Sequence, residues 1–271
     1  MPELPEVETI ARSLEMRVRG DLIESVWLGS KPEPLKSPPE EIVATLQGKR
    51  IAGVRRAGKH VVFDLQPAEE HDSRRAQWIV HLGMTGSLLV CKPEAELAKH
   101  THAIVHLGSG RELRFVDPRR FGRLSVIETF STPGAEPLDI RLADFAKLFR
   151  RRKTPIKSAL LNQKLLSGVG NIYADEALFR AGIRPRRQAA SLSGSELARL
   201  RLAVKRVLQQ AIRLGGSSIS DYVDADGREG SFQLKHRVYG REGEPCLVCK
   251  TPIKRVVIGG RSSHYCPRCQ S

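Results

Sequence analysis

The spacing of hydrophobic positions changes several times along the 271-residue chain. Near the start, Val7, Ile10, Ala11, Leu14 and Val18 recur at three- and four-residue intervals. This spacing predicts a helix over residues 6–19, stopped at Gly20. From about residue 22 to 129 the texture becomes short and β-branched: "LIESVWL", "HVVFDL", "QWIVHL", "HAIVHL" and "RLSVIET" are separated by Gly, Pro and Asp. Such runs predict antiparallel strands in a sandwich or barrel. "STPGAEPLD" (131–139) then reads as a linker, and residues 141–214 return to helical spacing. The last helix is the clearest. Ser193 and Glu196 fit a capping box, Leu197, Leu200, Val204, Val207, Leu208 and Ala211 make its apolar stripe, and Gly215-Gly216 ends it. Residues 215–234, small and polar with acidic positions, read as a loop whose length points to function or disorder. The elements together predict an α+β fold.

Charge adds a direction. The net charge is +15, yet residues 1–140 hold 19 Lys+Arg against 20 Asp+Glu, while residues 141–271 hold 26 against 10. The excess in the second half points to a polyanionic partner gripped mainly there. No run of about 18 apolar residues is present, so no membrane span is expected. The N-terminus lacks a basic segment followed by an apolar one, so a cytoplasmic, nucleoid-associated protein is expected.

Four of the five cysteines fall as Cys246-x2-Cys249-x16-Cys266-x2-Cys269. Two C-x2-C knuckles at this spacing suit one tetrahedral, four-thiolate structural zinc and leave no open coordination position for catalysis. Cys91, on a strand-like run, reads as a buried inert thiol. Between the knuckles, Gly259, Gly260 and Arg261 suit a hairpin tip. A tip arginine can reach a phosphate, although such residues are commonly just solvated.

The stretch 153–183 reads as helix, glycine turn, helix. Pro155 suits the first turn, Gly168 and Gly170 the turn, and Asn171 the N-cap of the second helix, whose dipole Asp175 and Glu176 complement. Free N–H groups there, with Asn171 and Lys157, could hold a phosphate. The pattern alone supports a structural helical hairpin equally well. The neighbouring Arg150, Arg151, Arg152, Lys153, Arg184, Arg186 and Arg187 add weight to the clamp.

"PELPEVET", "HLGMTG" (81–86), "DPRRFG" (117–122), "GVGNIYADEALF" (168–179) and the four-cysteine finger occur in this order. Together, and over nearly the whole chain, they resemble the formamidopyrimidine-DNA glycosylases, bacterial enzymes that remove oxidised purines. The N-terminal and "DPRRFG" motifs set the chain apart from the sister endonuclease VIII-type glycosylases for oxidised pyrimidines. That sister activity, or a non-catalytic zinc-finger DNA-binding protein on the same scaffold, is the alternative reading. "RRAGKH" departs from the family pattern by an extra residue before Lys59.

The resemblance implies a β-sandwich catalytic domain with its N-terminal helix (2–133), a helix-two-turn-helix domain with a lesion-capping loop (134–235) and a zinc finger (236–271), with DNA in the cleft between. It implies a monomer acting on damaged double-stranded DNA. Pro2, exposed by loss of Met1, would be the amine nucleophile and Glu3 the proton shuttle. Glu6 and Glu176 would be supporting carboxylates near the domain boundary, whereas Glu8 reads simply as a first-turn residue favoured by the helix dipole. Met84, Arg119 and Phe121 would form the wedge that fills the gap left by a flipped base. Lys59, counted with the catalytic set, and His81, Lys157, Asn171 and Arg261 would contact phosphate or the damaged nucleotide.

Overall fold

A computed structural model describes residues 1–68, 75–218 and 230–271. The chain divides into two compact units, Met1–Ser131 with Gly215–Gly230, and Thr132–Leu214 with Ser231–Ser271.

The first unit opens with α1 (Leu4–Val18), which starts two residues before the predicted helix; the predicted stripe of Val7, Ile10, Ala11, Leu14 and Val18 is buried, and Leu4 extends it by a turn. Next come β1 (Ile23–Leu28), α2 (Pro39–Leu46), β2 (Lys49–Ala57), β3 (His60–Pro67), β4 (Ala76–His81), β5 (Ser87–Cys91), β6 (Thr101–Leu107), β7 (Glu112–Val116) and β8 (Arg123–Ile127). They pair antiparallel in two four-stranded sheets, ordered β1-β6-β7-β5 and β2-β3-β4-β8. Val61, Phe63, Trp78 and Val80 of one sheet share a core with Val105, Leu107, Leu113 and Phe115 of the other, and α1 packs on β2 and β3. This is a sandwich rather than a closed barrel.

α2 has no counterpart in the sequence reading. Pro38 and Pro39 start it, Glu40 and Glu41 occupy its first turn, and Ile42 and Leu46, one turn apart, are its buried residues. Eight residues within a strand-rich stretch give too few periods to stand out.

The second unit holds α3 (Leu142–Phe149), α4 (Ile156–Leu161), α5 (Asn171–Ala181), α6 (Gly194–Arg213), β9 (Lys254–Ile258) and β10 (Arg261–Tyr265). α6 has the expected Ser193/Glu196 capping box and buries its expected stripe. α5 packs against α4, α6 and β10. It is buried over most of its length, with small Ala174, Ala177 and Ala181 letting its neighbours approach. Most of the 215–234 loop, residues 219–229, lies outside the described residues.

Candidate functional site

The N-terminal motif is drawn into the first unit. Pro2 and Glu3 are buried, and Glu3 is the N-cap of α1. Glu6 reaches both ways: its Oε2 accepts the Glu3 N–H at 2.8 Å and its Oε1 accepts the Ser217 N–H at 2.8 Å. The carboxylate expected to support the nucleophile therefore ties the start of the chain to the base of the 215–234 loop. Nothing local marks Ser217, because 211 residues separate it from Glu6. Glu8 lies beyond the first turn of α1, where Glu6 is the acidic residue, and pairs instead with Arg12 at 2.7 Å and Arg56 at 2.8 Å.

A basic group gathers at one end of the β2-β3-β4-β8 sheet. Lys59 sits in the two-residue connection between β2 and β3, almost fully buried, and the next residue, His60, is registered opposite His81 on β4. The two imidazole rings lie 5.0 Å apart, and Arg123 of β8 is registered opposite His81. Burial, reinforced by His60, Arg123 and Lys59, holds His81 down to about 4. His81 is thus neutral near pH 7. Its Nδ1 accepts the Gly83 N–H at 3.1 Å, which leaves Nε2 as the proton-bearing nitrogen, a donor suited to a phosphate oxygen.

The three residues that the resemblance assigns to a wedge lie on two loops. Met84 lies between β4 and β5 and is 42% exposed. Phe121 lies between β7 and β8 and is 52% exposed. The Arg119 guanidinium sits over the Phe121 ring, 4.9 Å from its centre. Two exposed apolar side chains, one of them under a cation, are out of place in a core.

In the second unit, Asn171, Lys157 and the residue after Arg261 come together. Gly259 and Gly260, with φ of 56° and 74°, form the tight turn between β9 and β10, as the Gly-Gly pair predicts. A Cβ on Gly259 would lie 3.0 Å from Ser158 Oγ, so this tip is seated against α4. Arg261, exposed, leads out of the turn, and Ser262 Oγ accepts from Asn171 Nδ2 at 3.3 Å. Asn171 is the first residue of α5 rather than its N-cap. Gly170 takes that place, with extended backbone, and frees the amide for Ser262.

Lys157 differs from its expectation. Its side chain is 0% exposed, and its Nζ lies 2.6 Å from Asp175 Oδ1 and donates to the Ser262 carbonyl at 2.6 Å. The ammonium is engaged inside the protein and is not offered to solvent. Asp175 Oδ2 in turn accepts the His264 N–H at 2.8 Å. Asp175, read from sequence as a dipole-complementing residue, is a junction of α4, α5 and β10. Glu176 is likewise an anchor: its Oε1 accepts the N–H groups of Arg237, Val238 and Tyr239 at 2.9, 2.9 and 3.0 Å. Burial pushes its carboxyl above the usual range. Adjacent acids on one helix thus hold both the segment leading into the finger and the finger's second strand.

The Sγ atoms of Cys246, Cys249, Cys266 and Cys269 all lie within 4.8 Å of one another, with Cys246–Cys269 at 3.9 Å and Cys249–Cys266 at 3.4 Å. A tetrahedron with Zn–S bonds of about 2.3 Å has edges of about 3.8 Å, so the cage fits one zinc ion. The Val248 and Cys269 N–H groups donate to Cys246 and Cys266 sulfurs, each at 3.4 Å, as suits thiolate ligands. Bound zinc supplies folding energy here, not chemistry. Cys91, by contrast, is partly exposed on β5. Desolvation raises its thiol above the ordinary value, and its sulfur faces the Glu112 carbonyl at 3.9 Å.

Known proteins match this chain along its length. Family models match in three successive stretches: the formamidopyrimidine-DNA glycosylase N-terminal domain over residues 1–124, the formamidopyrimidine-DNA glycosylase H2TH domain over 133–223, and the zinc finger found in FPG and IleRS over 243–271. The formamidopyrimidine-DNA glycosylase of Solibacter usitatus is 47% identical over 274 residues, covering 100% of this chain and 99% of the relative. The crystal structure of the MutM (Fpg) protein of Thermus thermophilus superposes with a TM-score of 0.86 at 41% identity, over 99% of this chain and 98% of that one. A Lactococcus lactis FPG mutant in complex with Fapy-dG-containing DNA gives 0.89 at 34% identity over the whole of both chains. Agreement in sequence and backbone from end to end makes the chain a member of the formamidopyrimidine-DNA glycosylase family.

Proposed function

We propose that this protein is a bifunctional DNA glycosylase and AP lyase of base excision repair, acting on 8-oxoguanine and formamidopyrimidines in duplex DNA. The observation that carries the reading is the exposed Met84–Arg119–Phe121 group. A base in a duplex must leave the stack before its glycosidic bond can be reached, at a cost of a few kcal/mol. Two apolar side chains standing out in water suit the gap, and the guanidinium suits the orphaned opposite base.

The chemistry falls to the N-terminus. With Met1 removed, the Pro2 amine is a nucleophile whose ordinary pKa of about 7.7–8.0 leaves an appreciable neutral fraction near pH 7. Its lone pair attacks C1′, and the bond to the damaged base breaks with the base taking a proton. Sugar-ring opening, with a proton delivered to the ring oxygen, leaves an iminium between proline nitrogen and C1′. That cation is the electron sink: loss of a C2′ proton expels the 3′ phosphate, and loss of a C4′ proton then expels the 5′ phosphate. Glu3 beside the amine is the proton carrier. Glu6 fixes the Glu3 backbone and the base of the capping loop. Lys59, His81, Asn171 and Arg261 hold the phosphates, while Lys157 is engaged inside the second unit by Asp175 and the Ser262 carbonyl.

The work is divided over a catalytic domain (2–133), a helix-two-turn-helix domain with the capping loop (134–235) and the zinc finger (236–271). The protein acts as a monomer in the cytoplasm. No helix among the described residues is long and apolar enough to cross a membrane. The test is single-turnover excision on duplexes carrying either 8-oxoguanine or an oxidised pyrimidine. Faster release of the purine, with strand cleavage that needs no alkali, is expected. Preference for the pyrimidine, or binding without cleavage, would refute the reading.

A further inference from the structure

The two loops that carry the wedge meet at a residue assigned no role above. Asp117, ahead of the Arg119–Phe121 turn, is 0% exposed. Its Oδ1 accepts the Thr85 hydroxyl at 2.6 Å and the Arg119 N–H at 3.2 Å. Its Oδ2 accepts the Gly122 N–H at 2.7 Å. Its backbone is fixed as well: its carbonyl accepts from His102 Nε2 at 2.9 Å, and its N–H donates to the His100 carbonyl at 2.9 Å. A buried carboxylate survives only when its oxygens are satisfied, and here the donors come from both loops: Thr85, next to Met84, and Arg119 and Gly122, on either side of Phe121.

Backbone packing points the same way. A Cβ on Gly83 would come within 2.5 Å of Gly122 N and Phe121 C, and one on Gly122 within 2.4 Å of Phe115 Cζ and 3.0 Å of the His81 carbonyl. The loops touch main chain to main chain, which only glycine permits. Between Arg119 and Phe121, Arg120 has a φ of 56°, a left-handed conformation that an arginine holds only when its surroundings impose it. The donors on either side of it, both bound by Asp117, impose it. The turn thereby places Arg119 over Phe121.

We propose that Asp117 is a positioning residue for base extrusion: it clamps the Met84 loop to the Arg119–Phe121 loop so that the three side chains enter the duplex as one preformed wedge. The proposal rests on the wedge reading above and extends it to the part that keeps the wedge rigid. A wedge ordered beforehand loses little conformational freedom on insertion, and freedom lost on binding subtracts from the work available for unstacking. Asp117 touches no DNA, and its effect passes through Met84 and Phe121.

The experiment uses the full-length, zinc-loaded enzyme on duplexes with 2-aminopurine beside 8-oxoguanine, so that extrusion is read by fluorescence and excision by strand cleavage in single turnover. Cleavage of a duplex with a pre-formed abasic site, where no paired base is expelled, is the comparison. Asp117→Asn keeps the shape but puts an amide where an acceptor stood. It should slow extrusion and excision about tenfold or more, the scale of one hydrogen bond to a carboxylate. Abasic-site cleavage should fall much less. Thr85→Val, a milder cut at the same junction, should do the same in smaller measure, and Thr85→Ser, which keeps the hydroxyl, should restore the rate. In a Phe121→Ala background, Asp117→Asn should add little, because the side chain it positions is gone. If Phe121→Ala slows extrusion while Asp117→Asn and Thr85→Val extrude at full rate, the clamp is refuted and the wedge stands. If Phe121→Ala itself extrudes at full rate, the wedge reading falls and the clamp with it. Equal losses on both substrates that add to those of Phe121→Ala would make Asp117 a general structural residue and overturn the proposal.

Discussion

Removing the Lys157 ammonium separates a phosphate ligand from an internal ion pair. The pair with Asp175 is 2.6 Å long and neither side chain has any exposure. Lys157→Met keeps roughly the volume and leaves Asp175 buried without its cation. Breaking a buried pair from one side costs about 3–5 kcal/mol. Asp175→Asn keeps an acceptor for the His264 N–H but leaves Lys157 uncompensated, at a similar cost. The double variant removes both charges, so its loss should be smaller than the sum of the singles by about 2 kcal/mol or more, the coupling expected of partners in contact. Urea unfolding of the zinc-loaded protein, followed by circular dichroism, measures all three. At about 2–4 °C per kcal/mol for a protein of this size, Lys157→Met alone should lower the melting temperature by about 10 °C. DNA affinity should fall with little change in its salt dependence, because no phosphate contact is lost directly. A Lys157→Met protein as stable as the wild type, whose log K against log salt slope drops by about one, would show that the lysine meets a phosphate in solution.

Zinc analysis should find one ion per chain, and Cys249→Ser should lose it along with DNA affinity, because the β9–β10 hairpin that carries Arg261 is built on the site; metal-free protein with full affinity would contradict this. His81, held at about 4 against its ordinary 6.5, should show no change in its ring NMR signals as pH falls from 7 to 5. Because the unfolded chain takes up this proton first, His81 should cost stability as pH falls from about 6.5 towards 4 and contribute no pH dependence above it; a ring titrating near 6.5 would refute the assignment. Phe121→Ala should lower stability by only about 1–2 kcal/mol, half a phenylalanine's burial plus an exposed cation–π contact, against about 3–5 for a core phenylalanine. A loss in the higher range would place Phe121 in the core.

What was legible in the sequence was whatever repeats or lies close together. α1 and α6 declared themselves because each repeats its apolar spacing over several turns, and Ser193 and Glu196 mark a start by local chemistry. The zinc cage was legible because each knuckle brings two ligands three residues apart. The short α2 was hidden for want of repeats. Asn171 was placed one residue early in its helix because a glycine can serve as N-cap as well as an asparagine can. Lys157 reads from sequence as a phosphate contact because it lies beside a glycine turn, a helix start and a run of basic residues. Its partner Asp175 lies 18 positions on, and the carbonyl it donates to lies 105 positions on. Such burial is a property of the assembled fold, and no spacing announces it. Asp117 was visible within "DPRRFG", but its hold on Thr85, 32 residues earlier, requires the sandwich to bring β4–β5 and β7–β8 together.

The central claim is that catalysis runs through the amine of Pro2, and trapping the covalent intermediate tests it most directly. Borohydride added during reaction with a duplex containing 8-oxoguanine should reduce the iminium to a stable protein–DNA adduct, and peptide mapping should place the DNA on Pro2. One extra residue ahead of Pro2 should abolish the adduct and the strand cleavage while leaving most DNA affinity in place. An adduct on a lysine, Lys59 included, or robust cleavage by the extended protein would contradict the account.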